Sequence, residues 1–600
     1  MVVVFTALTA VLTYPQAFHL ADRVHDDGDP LLNAWALAWV AHQLPRAPAH
    51  LFDANIFYPE RRTLAYSETL LLPGALAAPL HWLGAGPILV HNLVFLSGFA
   101  ISGAGTALLV RLLTNSTAAA VVAGLVFAFL PYRIDHFPHL QLQQTQCLPF
   151  AMWAFHRLLQ TGRLRYGAWY GAFTAGQLLS CMYYGLFLIP YMAVVCGTQL
   201  VARFTASGDA AAPGAARRVD PVVKGLLVAA AIAAVAVVPV AKAYLGAREV
   251  VGERGREEVV RGSATWQNYL APAEANALYG RAFARFMAGE RRLFPGFVAI
   301  ALAVVGLWPA RRSRHETRRE HESPQDDRPR KTPTDDEPTL PTVDTADTRA
   351  AHHRAFRVFE VSGFRVDATR LAYALGLLVA FDVSLGFNGF TYTLLYDYFL
   401  PFRALRIPAR MGVFTGFSLA VLAGFGAARL LARIRGARGR VLVAGVLGVL
   451  MLAEYASKPI DLMTIPKQPP EVYADIIRDR ADSPTAALLE LPASFLDDPT
   501  YLYYSTFHWQ HLVNGYSGFF PPSYRALLDT LKEFPTDSAL IELRVRGVRY
   551  VVVHGERMIG TRYQRLVPRL DSRADLRLVS RRPWFDGYKH GEISAYRVLY

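Results

Sequence analysis

The sequence has few charged residues and few cysteines for its length. Charged residues make up 18% of its 600 positions, against about 25% in a typical soluble chain. Cys147, Cys181 and Cys196 lie in apolar segments, with no Cys-x-x-Cys pair and no histidine at metal-ligand spacing. This excludes a disulfide scaffold and a zinc site built on cysteines. The apolar content of 53% also excludes a disordered chain and an ordinary soluble enzyme.

The sequence also lacks the pattern of a nucleic-acid-binding protein. It has 62 Lys and Arg against 48 Asp and Glu, a net charge of +14, but no ladder of basic residues interleaved with stacking aromatics. In a membrane protein, an excess of Lys and Arg is explained first by loops retained in the cytoplasm. We therefore expect no nucleic acid among the partners.

Long apolar segments predict a polytopic α-helical membrane protein with about eleven spans and a C-terminal extracytoplasmic α/β domain, since a span needs about 20 mostly apolar residues. The segment 66–85 is broken by prolines and is expected to be re-entrant or interfacial, and the first span is expected to be uncleaved. The predicted spans are 1–20, 87–112, 117–132, 141–159, 167–183, 185–203, 225–243, 293–310, 368–386, 410–433 and 440–457.

The distribution of Arg and Lys predicts the orientation in a cytoplasmic (inner) membrane. With the N-terminus inside, the basic short loops fall in the cytoplasm, as the positive-inside rule requires. The loop 244–292 is a basic exception on the outer side. The count of spans then places 458–600 outside.

Four regions follow from these patterns. We expect an N-terminal transmembrane catalytic module with outer loops over 1–310, and C-terminal transmembrane helices over 367–457. The segment 311–366 is rich in Pro and charge, which predicts a disordered cytoplasmic linker. The region 458–600 has short strand-like runs and amphipathic helix patterns, which predict a small α/β domain.

The first outer loop carries the clearest chemical signal. Asp26, Asp27 and Asp29 crowd one turn around Gly28 and Pro30, and carboxylates this close repel each other unless a cation or a proton relieves them. The amphipathic segment 31–44 is expected to lie at the membrane surface, which suits chemistry on a lipid headgroup. The alternative is that Asp29 only caps the following helix.

Basic and histidine side chains in the outer loops are candidates for phosphate or metal binding. Arg61 and Arg62 could hold a phosphate, or form an ordinary surface pair. In the second outer loop, ionisable groups at a membrane edge indicate function. They either complete a divalent cation site (Mg²⁺ or Mn²⁺) with the first loop, using Asp29, Asp135 and His136, or form hydrogen bonds without metal. The candidates in this second loop are Arg133, Asp135, His136 and His139.

Two later loops and one aromatic segment complete the candidates. Arg261 and Tyr269 belong to a loop that is either a substrate lid or a self-paired surface helix. Arg406 lies in an Arg- and Pro-rich loop that is a candidate for anion binding. The aromatic segment 501–528 suits either sugar faces or packing of the α/β region onto the membrane part.

The acidic first loop, the spans and the C-terminal α/β region together resemble the GT-C class of membrane glycosyltransferases, in an uncharacterised bacterial branch. The residues that carry the likeness are Asp26-Asp27-Gly28-Asp29-Pro30, directly after the first span, with the stretches NIFYP and HLVNGYSGF. Several subfamilies have an Asp-Glu pair in this loop, whereas this sequence has Asp-Asp-Gly-Asp.

The resemblance implies an inverting transfer of a sugar from a polyprenyl-phosphate donor to a hydroxyl of a glycan, lipid or protein acceptor. It implies that Asp27 or Asp29 deprotonates the acceptor, that an Arg stabilises the leaving phosphate, and that some members use a metal. Two other classes stay open, a flippase for a lipid-linked glycan and a non-catalytic envelope assembly protein. A flippase would need paired broken helices, and no repeated halves occur in the sequence.

Overall fold

The computed structural model describes residues 1–207, 219–286, 289–309, 358–361, 364–480 and 486–600. The described helices are α1 Val2–Leu12, α2 Asp29–Gln43, α3 Leu71–Trp82, α4 Pro87–Thr114, α5 Thr117–Ala128, α6 Pro131–Asp135, α7 Leu140–Gln143, α8 Cys147–Thr161, α9 Leu164–Ser180, α10 Met182–Ser207, α11 Pro221–Val251, α12 Arg256–Gly262, α13 Phe297–Leu307, α14 Ala368–Ser384, α15 Thr391–Tyr398, α16 Gly412–Ala432, α17 Ala437–Tyr455, α18 Val472–Asp479, α19 Asp498–Ser505, α20 Pro522–Thr530, α21 Asp537–Val545 and α22 Arg562–Asp571.

The described strands form one larger sheet and two small pairs. The larger sheet has the order β6-β5-β7-β9-β8, in which β5 is parallel to β6 and β7, and β9 is antiparallel to β7 and β8. The strands are β1 Arg23–Val24, β2 Val358–Val361, β3 Phe364–Asp367, β4 Met463–Thr464, β5 Ala487–Leu491, β6 His511–Leu512, β7 Val548–His554, β8 Leu576–Phe585 and β9 His590–Val598.

The chain is an integral membrane protein, and among the described residues five helices are long and apolar enough to cross a bilayer. They correspond to five of the eleven predicted spans, and lie at Pro87–Thr114, Thr117–Asp135, Met182–Thr205, Pro221–Val251 and Pro408–Ala432. Two of them join consecutive elements: Thr117–Asp135 covers α5 and α6, and Pro408–Ala432 covers a short 3-10 helix and α16.

The other six predicted spans contain helices that do not meet this length and composition. Five of them, α1, α8, α9, α13 and α14, have 11 to 17 residues, which at about 1.5 Å per residue is less than the roughly 30 Å of a hydrocarbon core. Helix α1 ends at Leu12, before Pro15, because a proline disfavours helix in the residue that precedes it. Helix α17 is long enough but contains Arg438, Arg440 and Glu454.

Helix α16 is the centre of the membrane part. It packs against α4, α5, α13 and α14, and nearly all of its residues are buried. Glycines allow the closest of these approaches, since a Cβ at Gly426 would overlap the carbonyl oxygen of Leu302 in α13. Small residues at such contacts let helix backbones approach in the way that membrane helices require.

The loop region 21–65, which we call the first loop, and the C-terminal region are joined by backbone hydrogen bonds. The N–H of Tyr58 donates to Leu512 O at 2.9 Å, the N–H of Leu512 donates to Asn55 O at 2.7 Å, and the N–H of Phe57 donates to Asn514 O at 3.0 Å. Strand β1 of the first loop also pairs with β4. The stretches NIFYP and HLVNGYSGF are therefore partners of each other.

Helix α2 differs from the prediction of a surface-lying amphipathic helix. Residues 30–41 are all buried, because the C-terminal region covers the side that would otherwise face water. Trp35 donates to Asn55 Oδ1 at 3.1 Å, and Trp39 donates to Leu51 O at 2.8 Å. These tryptophans fix the first loop and do not form part of an interfacial belt.

The C-terminal region follows its sequence pattern closely. The strand-like runs at 486–491, 550–554, 576–580 and 593–599 overlap β5, β7, β8 and β9. The amphipathic patterns at 471–480, 523–534 and 537–545 overlap α18, α20 and α21. Most of the predicted linker 311–366 lies outside the described residues. Its last part contains β2 and the start of β3, which form an antiparallel pair, and a disordered linker over the rest stays a prediction.

Candidate active site

Asp29 lies at the start of α2, where the tight turn of the first loop ends. The N–H of Gly28 donates to Asp26 Oδ1 at 2.9 Å and closes this turn. The Asp29 side chain does not cap its own helix. Its Oδ1 accepts a hydrogen bond from the hydroxyl of Tyr516 at 2.8 Å, and its Oδ2 lies 3.3 Å from His139 Nε2. The carboxylate therefore faces inward and not into solvent.

Burial shifts the pKa values of both Asp29 and His139. Burial raises the pKa of Asp29 above its usual value, although the Tyr516 hydrogen bond and the charge of Arg410 oppose the shift. Burial also lowers the pKa of His139 to about 4, so its imidazole is neutral at pH 7. A carboxylate with a raised pKa beside a neutral imidazole is a stronger base than a free aspartate.

A second carboxylate, Glu290, lies on the opposite side of the histidines. Arg410 donates to its Oε2 from Nε at 3.0 Å and from a terminal nitrogen at 2.7 Å, and His136 Nε2 lies 3.8 Å from the same oxygen. Burial acts to raise the pKa of Glu290, but the charge of Arg410 outweighs it and lowers the pKa to about 2. Glu290 thus stays ionised and holds Arg410 in place, whereas Asp29 can accept a proton.

Arg410 and Arg406 differ in how closely they contact the neighbouring carboxylates. Arg410 is buried, paired with Glu290, and stacked over the Tyr183 ring at 4.6 Å. The Arg406 side chain is 42% exposed, and its carboxylate contacts are long, 3.7 Å to Glu290 and 4.0 Å to Glu258. Arg406 is therefore able to turn toward an anionic ligand at little cost.

Glu68 already occupies the nearby helix N-terminus. It accepts hydrogen bonds from the N–H groups of Met182 at 2.6 Å and Tyr183 at 3.1 Å, at the first turn of α10. Burial raises its pKa, and these two backbone bonds act against the shift. An anionic ligand must therefore be bound by arginine side chains and not by this helix end.

One cavity of about 310 Å³, which we call the polar cavity, is lined by Asp29, Glu68, His139, Arg406 and Arg410, whereas Glu290 does not line it. Arg254 closes part of its wall, with its guanidinium stacked 3.6 Å over the Phe519 ring and donating to Glu258 at 3.0 Å. The side chains that bring charge or hydrogen-bonding capacity to the polar cavity are Asp29, Tyr66, Ser67, Glu68, His139, Gln141, Tyr183, Tyr244, Arg254, Arg406, Arg410, Tyr516 and Ser517.

An apolar groove of about 330 Å³ adjoins the polar cavity. Its main walls are aliphatic side chains of α10 and α11, including Leu186, Ile189, Val237 and Leu245. Ala65, Met182, Tyr244, Ala404 and Phe519 line both spaces. The two form a continuous site with a charged end and an apolar end, which matches the shape of a lipid with an anionic headgroup.

Asp27 faces a different space from Asp29. It lines a second cavity of about 250 Å³, between the first loop and the C-terminal region, where its carboxylate lies 3.7 Å from Arg557. The turn at Gly28 therefore directs the two predicted catalytic aspartates into different cavities. Asp26 lies within this turn and is partly buried.

The three predicted metal ligands have separate partners. Asp135 accepts from Arg292 at 2.6 Å, His136 Nδ1 contacts the carbonyl of Tyr132 at 2.8 Å, and Asp29 is held by Tyr516. Among the described residues, no group of three or more His, Cys, Asp or Glu side chains is arranged to hold a metal ion. The three side chains Asp29, Asp135 and His136 are thus each held by a different neighbour, and a divalent cation between them stays a prediction.

The remaining predicted site residues lie outside the polar cavity. Arg133 is fully buried and donates to Ala128 O at 3.1 Å and Gln143 O at 2.9 Å. The Tyr269 hydroxyl contacts the Ser384 hydroxyl at 2.8 Å. The three arginines Arg61, Arg62 and Arg261 are exposed and do not line the polar cavity.

Sequence reasoning did not assign a role to two of the central residues. Glu290 has no local motif around it. Tyr516 is part of HLVNGYSGF, for which sugar contact and packing were the two interpretations. The structure shows that this segment packs on the first loop and that Tyr516 bonds to Asp29. The hydrogen bond to Asp29 spans 487 positions, so no local pattern could have revealed it.

The comparisons with known proteins concern the fold. No protein-family profile matches the sequence, and no curated protein matches it. Among solved structures, the arabinofuranosyltransferase AftD from Mycobacteria is similar with a TM-score of 0.58 and 14% identity, over 100% of this chain and 40% of AftD. Two structures of an AftD mutant are similar with a TM-score of 0.56. ArnT from Cupriavidus metallidurans aligns over 99% of this chain and 97% of its own, with 13% identity and a TM-score of 0.36, too low to support an argument.

This chain thus spans about two fifths of the length of AftD. At 14% identity the similarity concerns the fold and not the substrate. The expected resemblance is confirmed at that level: the chain shares the fold of the corresponding part of the arabinofuranosyltransferase AftD.

Proposed function

We propose that the protein transfers a sugar from a polyprenyl-phosphate-linked donor to an acceptor hydroxyl, at the outer face of the cytoplasmic membrane. The observation that supports this most is the position of Asp29 in a polar cavity that contains Arg406 and continues into an apolar groove. In this proposal the C-terminal region 458–600 lies outside the cell, and the donor enters from the bilayer.

The apolar chain and the charged phosphate of the donor determine how it would lie in the site. The isoprenoid chain lies in the groove between α10 and α11, where aliphatic side chains replace lipid. The phosphate lies near Arg406 and Arg254, since guanidinium groups match phosphate oxygens. The loose contacts of Arg406 with Glu258 and Glu290 let it bind the phosphate without leaving a buried carboxylate unpaired.

The chemical step is a single displacement. Asp29 takes the proton of the acceptor hydroxyl, and the hydroxyl oxygen forms a bond to the anomeric carbon of the donor sugar. The bond between that carbon and the phosphate oxygen breaks, and its electron pair leaves with the lipid phosphate. Arg406 stabilises the charge that develops there. One displacement inverts the anomeric configuration.

Tyr516 and His139 orient the base. The Tyr516 hydroxyl fixes one carboxylate oxygen, which leaves the other, next to neutral His139, toward the incoming hydroxyl. Glu290 is held ionised by Arg410 and takes no part in proton transfer. The site therefore assigns one carboxylate to the base and another to the support of a cation, as their opposite pKa shifts favour.

A transfer assay in nanodiscs tests the proposal. Purified protein is incubated with a panel of radiolabelled polyprenyl-phosphate sugars and with membrane glycan extract as acceptor. We expect at least one donor to yield labelled glycan together with free polyprenyl phosphate, and Asp29→Asn to yield neither. Movement of the intact donor between leaflets, with no cleavage of the sugar–phosphate bond, would contradict the proposal and support a flippase.

A further inference from the structure

The second cavity has the features of a built ligand site. It lies between the N-terminal turn of α2, strand β4 and the sheet of the C-terminal region, with a volume of about 250 Å³. Pockets for drug-sized ligands are about 300–1,000 Å³, so this one suits a small unit. The residues that line it are Asp27, Leu31, Met463, Thr464, Ile465, Pro466, Asp497, Thr500, Tyr503, Tyr504, Glu556, Arg557, Asp586, Tyr588 and Lys589.

Several polar atoms of these lining residues have unused hydrogen-bonding capacity. Within the part of the chain that the structure describes, Thr500 Oγ1, Glu556 Oε2 and Arg557 Nε are buried without a hydrogen-bond partner. Thr500 and Glu556 are each only 4% exposed. Leaving a buried polar atom unpaired is costly, so three among the lining residues indicate a ligand that supplies the missing partners.

The wall is rigid and does not depend on the ligand for its shape. Glu556 Oε1 contacts His554 Nδ1 at 3.1 Å, and His554 Nε2 contacts Glu490 Oε2 at 2.9 Å. Arg557 is held by Asp497 at 3.4 Å and by Asp27 at 3.7 Å. The unpaired atoms are thus fixed by neighbours on their other sides, as preorganised binding groups are.

Charge and exposure identify the chemistry of the ligand. Four carboxylates and two cations line the second cavity, which disfavours phosphates and acidic sugars. Carboxylate and hydroxyl oxygens with a guanidinium nitrogen suit an array of sugar hydroxyls, which both donate and accept. Tyr588, in the turn between β8 and β9, is 56% exposed at this cavity and offers a flat apolar face beside the polar groups.

The second cavity adjoins the polar cavity through α2. Leu31 lines the second cavity and Leu32 lines the polar cavity, while Asp27 and Asp29 face them in the same order. Two residues of extended chain span at most about 7 Å, so a short oligosaccharide is long enough to occupy both spaces.

We infer that the second cavity binds an uncharged sugar unit of an oligosaccharide acceptor, through Thr500, Glu556, Arg557 and Tyr588. Its place next to Asp29 presents another sugar of the same chain to the base. The identity of the ligand as acceptor depends on the proposed function, whereas the presence of a saccharide site does not. The protein would then extend existing glycan chains, with Asp27 as part of the acceptor site.

Binding of tagged oligosaccharides to the full chain in nanodiscs tests this inference. The probes are neutral tetrasaccharides of arabinofuranose, mannose and glucose, and a matched tetrasaccharide that carries a uronic acid. The Asp29→Asn protein is used, so that binding is measured without turnover. We expect at least one neutral probe to bind and the acidic probe to bind more weakly.

Two variants and a matched control locate the site. Thr500→Val removes one unpaired hydroxyl with little change in volume, and Tyr588→Ala removes an exposed ring that the fold does not need. Each is expected to weaken binding of the neutral probe by about fivefold, the size of one hydrogen bond or one ring contact. Tyr600→Ala, which removes another exposed tyrosine of the same region, is expected to leave binding unchanged.

Unchanged binding in Tyr588→Ala, equal loss in Tyr600→Ala, or binding of none of the neutral probes would overturn the inference. Binding by a wild-type protein that transfers no sugar from any donor would contradict the proposed function and leave the saccharide site supported. Sugar transfer together with unchanged binding in both cavity variants would support the proposed function and contradict the saccharide site.

Discussion

The hydroxyl of Tyr516 donates to Asp29 at 2.8 Å, across 487 positions of the chain. This contact connects the C-terminal region to the base of the proposed reaction, so the docking of that region completes the polar cavity. We expect changes at this contact to alter the chemistry at Asp29 more than the overall fold.

Replacing Tyr516 by Phe removes a hydrogen bond that lowers the pKa of Asp29. The pKa of Asp29 then rises further. Since the base acts only when ionised, the acidic limb of the kcat/KM profile should move to higher pH, and kcat should fall about tenfold at pH 7.

The pH–rate profile measures this shift, with Tyr563→Phe as the control. Tyr563 donates to the carboxylate of Glu592 at 2.8 Å, away from both cavities. If the acidic limb of Tyr516→Phe coincides with that of the wild type, Tyr516 does not control the base.

Removing the Arg406 guanidinium should slow the chemical step. Arg406 has only long contacts with carboxylates, so it is the cation that can move to the leaving phosphate. Arg406→Ala should therefore lower kcat by about 10²–10³-fold. Arg406→Lys should restore part of the rate but not bidentate binding. Single-turnover kinetics measure this directly, with exposed Arg433→Ala as the control. A rise in KM with unchanged kcat would mean that Arg406 only binds the donor.

A bulky side chain in the apolar groove should weaken the use of long-chain donors more than that of short-chain donors. Ala241 of α11 lines the groove, so Ala241→Trp should raise KM for a long-chain polyprenyl donor by about tenfold or more, and have little effect on a short-chain analogue. Val235→Trp places the same ring on the exposed side of the same helix, where the native side chain is 78% exposed. Equal effects of the two substitutions, or equal effects on both donors, would place the chain elsewhere.

The buried His554 makes the stability of the C-terminal region depend on pH. Burial acts to lower its pKa, but Glu556 and Glu490 outweigh it and raise the pKa to about 9. A folded-state pKa above the unfolded value stabilises the protein below about pH 6.5, and this stabilisation is lost as the pH rises through 9, with a size of about 1–3 kcal/mol.

Thermal unfolding of the protein in nanodiscs from pH 6 to 10 measures this effect. His554→Gln should remove most of the decline in Tm between pH 6.5 and 9, whereas His590→Gln, an exposed histidine of β9, should keep it. The same decline in His554→Gln as in the wild type would assign the pH dependence to other groups.

The sequence predicted much of the fold because long apolar runs and alternating patterns are local signals. The five long spans and the elements of the C-terminal sheet follow such patterns. The shorter helices could not be distinguished from spans, because their ends are fixed by prolines and by packing around α16. The burial of Trp35 and Trp39 depends on the docked C-terminal region, which local periodicity does not reveal.

The candidate site was predicted in part for the same reason. The crowded turn Asp26-Asp27-Gly28-Asp29 is a local signal, and it does lead to the polar cavity. Which aspartate faces which cavity depends on the backbone at Gly28 and on Tyr516 and Arg557, both distant in sequence. Glu290 could be recognised only from its ion pair with Arg410 in the structure. Arg133 is buried and donates hydrogen bonds to backbone carbonyls.

In the proposed reaction Asp29, and not Asp27, is the base. A single-turnover transfer assay with Asp29→Asn and Asp27→Asn, alongside a donor-binding measurement on both, separates the two roles. We expect Asp29→Asn to lose transfer by at least about 10³-fold while still binding donor, and Asp27→Asn mainly to weaken use of the acceptor. Full transfer by Asp29→Asn, or a larger loss of the chemical step in Asp27→Asn, would contradict this assignment of the base.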